Sequence, residues 1–444
     1  MNGVSVATSL NNPRTIRAWC MYDWANSVYS LVITSAIFPV YYKAIAVSES
    51  GGDVITFLGF SVLNSNLYSY AISFSFLVVA CILPLLSGMA DYSGRKKFFM
   101  KVFVFIGSFS CMGLYFFTDI DSLFWGILCS VFASIGYSGS LVFYDAFLPE
   151  IVSEDRYDMT SAKGYSMGYY GSVILMIICL FVVMNYESFY VFKSEWHAMR
   201  FSFLLVGLWW LGFSSIVFRV LPENTHNRNP SGNIWLKGYR EIQKVWQSLK
   251  QSPDLKRYLS AFFFFNMGVQ TVMYLATLFG TDVMHLPGDR LILSILLIQL
   301  VGAFGAWFFA KLSQRKGNRF ALIIAIVLWI VVCIAAYLIV SEYQFYGLAV
   351  LVGLIMGGIQ SLARATYSKL IPENTIDTAS YFSFFDVTFN LSVVIGTFSY
   401  GLINQLTGSM RYSALGLAVY FIIGMIFLLV VKAKDIQRPA KVNT

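Results

Sequence analysis

Gly88-Met89-Ala90-Asp91-Tyr92-Ser93-Gly94-Arg95-Lys96-Lys97 stands between two long apolar runs. A bilayer makes an acid and three adjacent cations costly anywhere but at the water surface. The decapeptide therefore reads as a tight loop between two membrane-spanning helices. It combines an anionic group with a cationic patch, which suits a latch between helices better than a passive connector.

The rest of the chain extends this pattern. Its 444 residues are 57% apolar, 17% aromatic and 12% charged, whereas soluble domains carry about 25% charged residues. Twelve segments approach the roughly 20 apolar residues of a spanning helix. They lie at about 20–42, 61–88, 98–117, 122–146, 164–184, 201–220, 257–282, 291–311, 320–340, 345–370, 380–404 and 412–431. With connections alternating between two sides, 26 of the 31 Lys and Arg fall on the side of the N terminus and 5 on the other. The positive-inside rule puts that basic side, and both termini, in the cytoplasm of a multi-pass protein of the plasma (inner) membrane. The net charge of +8 is thus a topology signal. The bilayer, and no nucleic acid, is the expected large partner. No cleavable leader is evident in the polar residues 1–17, so the first apolar run is expected to stay as a signal anchor.

A polar stretch at 221–256 separates an N-terminal half, 1–220 with spans one to six, from a C-terminal half, 257–444 with spans seven to twelve. Within it Trp235, Leu236, Tyr239, Ile242, Trp246 and Leu249 recur at helical spacing, interleaved with Lys237, Arg240, Lys244 and Lys250. This predicts an amphipathic helix, either lying on the membrane surface or a plain solvated linker. A shift of 223 residues lays Gly94 on Gly317, Tyr144 on Tyr367 and Pro149-Glu150 on Pro372-Glu373. Matches at equivalent points of both halves are what repeated transporter halves predict.

Gly88-x-x-Asp91-x-x-Gly94-Arg95-Lys96-Lys97, placed between spans two and three, resembles the loop 2–3 signature of the major facilitator superfamily. The matching second-half stretch, Lys311 to Arg319, keeps glycine and cations but has Gln314 where the acid would fall. Tyr22-Asp23-Trp24-Ala25-Asn26-Ser27-x-Tyr29 resembles the first helix of the vacuole-effluxer-like branch, the bacterial "unknown major facilitator" group related to fungal autophagy-linked amino-acid effluxers. The resemblance implies an all-α fold of twelve transmembrane helices in two pseudo-symmetric six-helix halves. It also implies secondary transport of a small polar solute by alternating access, with export of amino acids as the expectation. A non-transporting membrane sensor on a carrier scaffold is the alternative.

The gate set is Asp91, Gly94, Arg95 and Lys96. The resemblance implies that Asp91 faces the start of span eleven, near Asp377-Thr378-Ala379-Ser380. Charged groups inside spans are rare and face a cavity or a partner. That rule selects Asp23, Asp145, Arg364 and Asp386 as coupling or salt-bridge residues. Asp23 is suited to carry a coupling proton. Arg364 could pair with Asp386 within the second half, or with Asp145 or Asp23 across the halves. Asn266, Gln270, Tyr274 and Thr277 form one stripe along span seven, and polar amides facing lipid would be costly. In facilitator folds spans one, four, seven and ten line the central cavity. Asn26 and Ser30 share a helix face with Asp23, at spacings of 3 and 4, and read as lining the cytoplasmic mouth. The resemblance adds Tyr137 and Tyr144 of span four and Gln360 of span ten to the cavity, and each amide is also explained by interhelical hydrogen bonding alone.

Other classes of function find no residues. The six cysteines are scattered and the three histidines isolated, so no metal or redox motif exists. No Gly-x-x-x-x-Gly-Lys-Ser/Thr loop is present for ATP. We expect no enzyme, no cofactor and no metal, and a functional monomer.

Overall fold

The computed structural model describes residues 10–47, 54–223, 234–372, 375–433 and 436, apart from the side chains of Ser65, Leu275, Thr277 and Asp289. Glu373 of the repeated Pro-Glu pair and the side chain of Thr277 thus lie outside the described residues.

Helix α1 runs over Pro13–Ile45. Asn12 caps it, accepting from the Arg14 amide at 2.9 Å, and Pro13 fills the first turn, where its missing N–H costs nothing. Its middle, Tyr29–Ala36, is wound as a π-helix, with Ser35 Oγ donating to the Ser30 carbonyl at 2.9 Å. A short antiparallel ribbon follows, β1 (Val54–Phe57) paired with β2 (Phe60–Leu63). Leu58 (φ 50°) and Gly59 (φ 86°) make its turn. This ribbon departs from the all-α expectation, because its alternation is too short to distinguish from the apolar start of span two.

Helix α2 (Asn64–Ser93) corrects the reading of the opening stretch. Gly88 to Ser93 belong to the helix, not to a loop. The chain reverses only at Gly94 (φ 67°), whose amide bonds to the Ala90 and Asp91 carbonyls, before α3 (Lys96–Gly113) begins. A left-handed residue here admits glycine at no steric cost. Asp91 is therefore held rigidly on the last turn of a helix.

Helices α4 (Leu123–Ala146), α5 (Tyr157–Met184) and α6 (Glu195–Val220) complete the first six spans. The central stretch forms α7 (Ile234–Gln251). It is not a solvated linker, since its Gly238, Val245 and Leu249 are buried. Then come α8 (Pro253–Asp282), α9 (Gly288–Lys316), α10 (Asn318–Leu338), α11 (Glu342–Leu370), α12 (Thr378–Thr407) and α13 (Met410–Val430). Ser341 and Gln344 form a capping box at the start of α11.

Among the described residues, eleven helices are long and apolar enough to cross a membrane, against twelve expected from the sequence. That set leaves out α7 and also α8, whose 30 residues include Leu275 and Thr277, side chains outside the described residues. In the middle of α8 lie Asn266, Gln270 and Thr271, all buried. Helix α8 is packed against α12 and α13 like its neighbours. Between the two sets of helices, α2 lies on α12, and α5 lies on both α9 and α11. These pairs form a seam, and the functional residues gather along it.

Gly94→Ala is expected to destabilise the folded protein by about 1 kcal/mol, read as a lower melting temperature in detergent. An unchanged melt would mean that the α2–α3 turn tolerates a side chain.

Candidate functional site

A cavity of about 210 Å³ lies on the seam. Helix α1 contributes Asp23, Asn26 and Ser30, α4 contributes Tyr137 and Asp145, and α5 contributes Tyr165 and Tyr169. From the other side come Asn266, Gln270 and Tyr274 of α8, Gln360 and Arg364 of α11, and Asp386 of α12. The stripe on α8 thus faces the cavity, and its amides are tied together. Asn266 donates to Ser392 Oγ at 2.7 Å, and Gln270 donates to Asn266 Oδ1 at 3.3 Å. Tyr169 donates to Gln360 Oε1 across the seam at 2.9 Å.

Arg364 is buried to 2% exposure at one end of this cavity. Its Nη1 lies 3.0 Å from Asp145 Oδ1 and its Nη2 3.3 Å from Asp23 Oδ2. Nε donates to Ser161 Oγ at 2.9 Å, and Nη2 also donates to the Ser161 carbonyl at 3.0 Å. The guanidinium lies 4.4 Å from the ring of Tyr165 and 4.6 Å from that of Trp19. Arg364 therefore pairs across the seam with both first-half acids, not with Asp386, whose Oδ2 accepts from Asn390 at 2.7 Å. Tyr144 differs from its expected place in the cavity wall. It is fully buried behind Asp23, stacked on Trp19 at 4.5 Å, and donates to Asp23 Oδ2 at 2.7 Å. It orients an acid that the cavity sees.

Asp91 closes the seam at the same end. Its carboxylate accepts from the amides of Ala379 (3.2 Å) and Ser380 (2.7 Å) and from Ser380 Oγ (2.6 Å). These are orphan donors at the N-terminus of α12, where a negative charge is favoured. Asp377, which precedes that helix, makes no capping bond with its side chain. Lys96 lies 3.6 Å from Asp91, ion-pairs with Glu150 and donates to Thr378 Oγ1 at 2.5 Å. Lys97 is buried against the Leu221 carbonyl at 2.7 Å, while Arg95 is exposed at the turn. Of the cations in the opening stretch, Lys96 joins the Asp91 cluster and Arg95 does not.

A second buried carboxylate cluster across the seam mirrors that of Asp91, and the sequence reading missed it. Asp158, in the first turn of α5, is 1% exposed. It accepts from Asn318 Nδ2 at 2.6 Å, Ser313 Oγ at 3.0 Å and Lys369 Nζ at 2.8 Å, all from the other side of the seam. Asn318 follows Gly317, the counterpart of Gly94. The stretch that has Gln314 in place of the acid thus meets an acid supplied by its partner helix. The missing carboxylate near Gln314 was the available signal.

The fold is that of the major facilitator carriers. Solved structures agree. A fucose:proton symporter in the outward conformation superposes with a TM-score of 0.70 at 12% identity, covering 96% of this chain and 99% of that one. The human organic anion transporter MFSD10 gives 0.71 at 11% identity, covering 94% and 100%. Within that class, the chain belongs to the family described as "Vacuole effluxer Atg22 like", which matches residues 11–160 and 154–441. YxiO of Bacillus subtilis, described as an uncharacterized MFS-type transporter, is 31% identical over 93% of both chains. Autophagy-related protein 22-1 of Penicillium rubens is 22% identical over 98% of this chain and 92% of its own.

Asp91→Asn and Asp158→Asn each remove a charge from buried hydrogen bonds worth about 1.5–3 kcal/mol. Each should raise the fraction of molecules open at this end roughly tenfold or more, and the double variant should exceed either single one. Spin labels at the exposed Arg156 and Arg315 would read this as longer distances. An unchanged distribution in the double variant would remove the latch role.

Proposed function

We propose that the protein is a secondary transporter of a small polar solute, moving it by alternating access between the two six-helix halves of residues 1–220 and 257–444. The observation that carries this reading is Arg364. A cation from one half is held by carboxylates of the other, at the floor of a cavity rich in hydroxyls and amides. Those bonds can exist only while the basic end is shut. The arrangement is that of a carrier sealed at one end with its binding cavity at mid-depth.

We take the sealed basic end as cytoplasmic, in line with the excess of Lys and Arg on that side, and the membrane as the plasma (inner) membrane. Neutral hydrogen-bonding groups beside aromatic rings suit a zwitterionic solute such as an amino acid, and export agrees with the family's description as an effluxer. Asp386 lines the cavity outside the Arg364 cluster. It is the group we assign to a coupling proton, with Asp23 and Asp145 committed to the arginine.

The decisive measurement is flux of pooled amino acids and other small solutes through proteoliposomes, with and without a pH gradient. Movement of at least one solute is expected, and its complete absence across the pool would favour the sensor alternative. Arg364→Lys keeps the charge but loses the planar fork that reaches two acids. It should lower flux at least tenfold. Asp386→Asn should retain solute exchange while losing dependence on the pH gradient. If both variants transport like the wild type, these residues have no part in the cycle.

A further inference from the structure

Helix α7 lies across the seam at the basic end. On one side it crosses α2 where two glycines meet. A Cβ on Gly88 would fall 2.9 Å from Ile242 Cγ1, and one on Gly238 would fall 2.7 Å from Met89 Cγ. Lys237 Nζ donates to Tyr92 OH at 2.7 Å beside this crossing. On the other side α7 meets α12. Tyr381 OH donates to Ser248 Oγ at 2.7 Å, and the Trp246 and Phe384 rings stack at 5.6 Å. The helix therefore touches both helices that carry the Asp91 latch, one from each half.

The rest of its surface is unlike that of a soluble helix. At 100° per residue, Trp235, Trp246, Tyr239, Lys250 and Arg240 fall on one half of the cylinder. Trp235, Tyr239 and Trp246 are 58%, 55% and 49% exposed. Lys250 sits over the Trp246 ring at 5.2 Å. The helix's acid, Glu241, is largely covered and ion-paired with Lys244 at 3.0 Å. Exposed aromatic rings beside Arg240 and Lys250 on the same half of the helix fit one occupant, an anionic lipid leaflet.

We propose that α7 is a strap. Its outer face binds anionic phospholipid of the leaflet at the basic end, and this binding favours the shut seam by holding α2 and α12 together. The proposal does not depend on the solute carried.

The test titrates phosphatidylglycerol or phosphatidylcholine into the full-length protein in neutral detergent, with bound lipid read by native mass spectrometry. Phosphatidylglycerol should bind at the lower midpoint. Each surface cation contributes about fivefold to anionic-lipid affinity, so Arg240→Gln with Lys250→Gln should raise that midpoint about 25-fold. The phosphatidylcholine midpoint should stay in place. Arg240→Lys should keep the preference. The Arg156–Arg315 label distance should be short in phosphatidylglycerol nanodiscs and longer in phosphatidylcholine ones, and the double variant should be long in both. Equal midpoints for the two lipids, or a double variant that keeps the preference, overturns the lipid site. A label distance that ignores lipid headgroup overturns the strap.

Discussion

The burial of the Arg364 charge constrains the arrangement of everything around it. A guanidinium removed from water loses several kcal/mol of hydration, which only well-placed partners recover. Here the partners are two carboxylates, a hydroxyl, a backbone carbonyl and three aromatic faces, and the acids and rings come from the first six spans. Helix α11 can therefore occupy its position only against α1, α4 and α5. Tyr144 and Trp19 stack behind Asp23 and fix the carboxylate that the arginine meets. Shape at this depth follows from electrostatic satisfaction as much as from apolar packing.

Around that cluster Asp91 and Asp158 make comparable contacts across the seam, the second without a carboxylate at the position that matches the first. Asp91 sits at the end of α2 and meets the start of α12. Asp158 sits at the start of α5 and meets the start of α10 and the end of α11. Either location serves, because each places one buried carboxylate among donors from the opposite half. Asp158 has a further source of stability in the N-terminus of its own helix. Sequence symmetry is broken here while the physical balance of the seam is kept.

Much of this was legible from residue types alone. Long apolar runs and the side bias of Lys and Arg gave the spans, and the polar stripe on α8 turned to the cavity because lipid would not accept it. The meeting of Asp91 with the start of α12 came from resemblance, since a contact across nearly 290 positions leaves no local periodicity. Asp158 was missed for the same reason. Tyr144 was misplaced because seven-residue spacing from Tyr137 gives a helix face but not its neighbour. The end of α2 was set too early, because glycine, acid and cations resemble a loop when the helix packed over them is not yet known.

Both clusters are built by taking carboxylates out of water. In the proposed cycle, sealing the basic end is a dehydration step as well as a mechanical one, and each opening returns Asp91 and Asp158 to solvent. The balance between shut and open then depends on the activity of water itself. Solutes excluded from protein surfaces favour the drier arrangement, so the osmotic state of the surrounding fluid acts on this carrier without any binding site of its own.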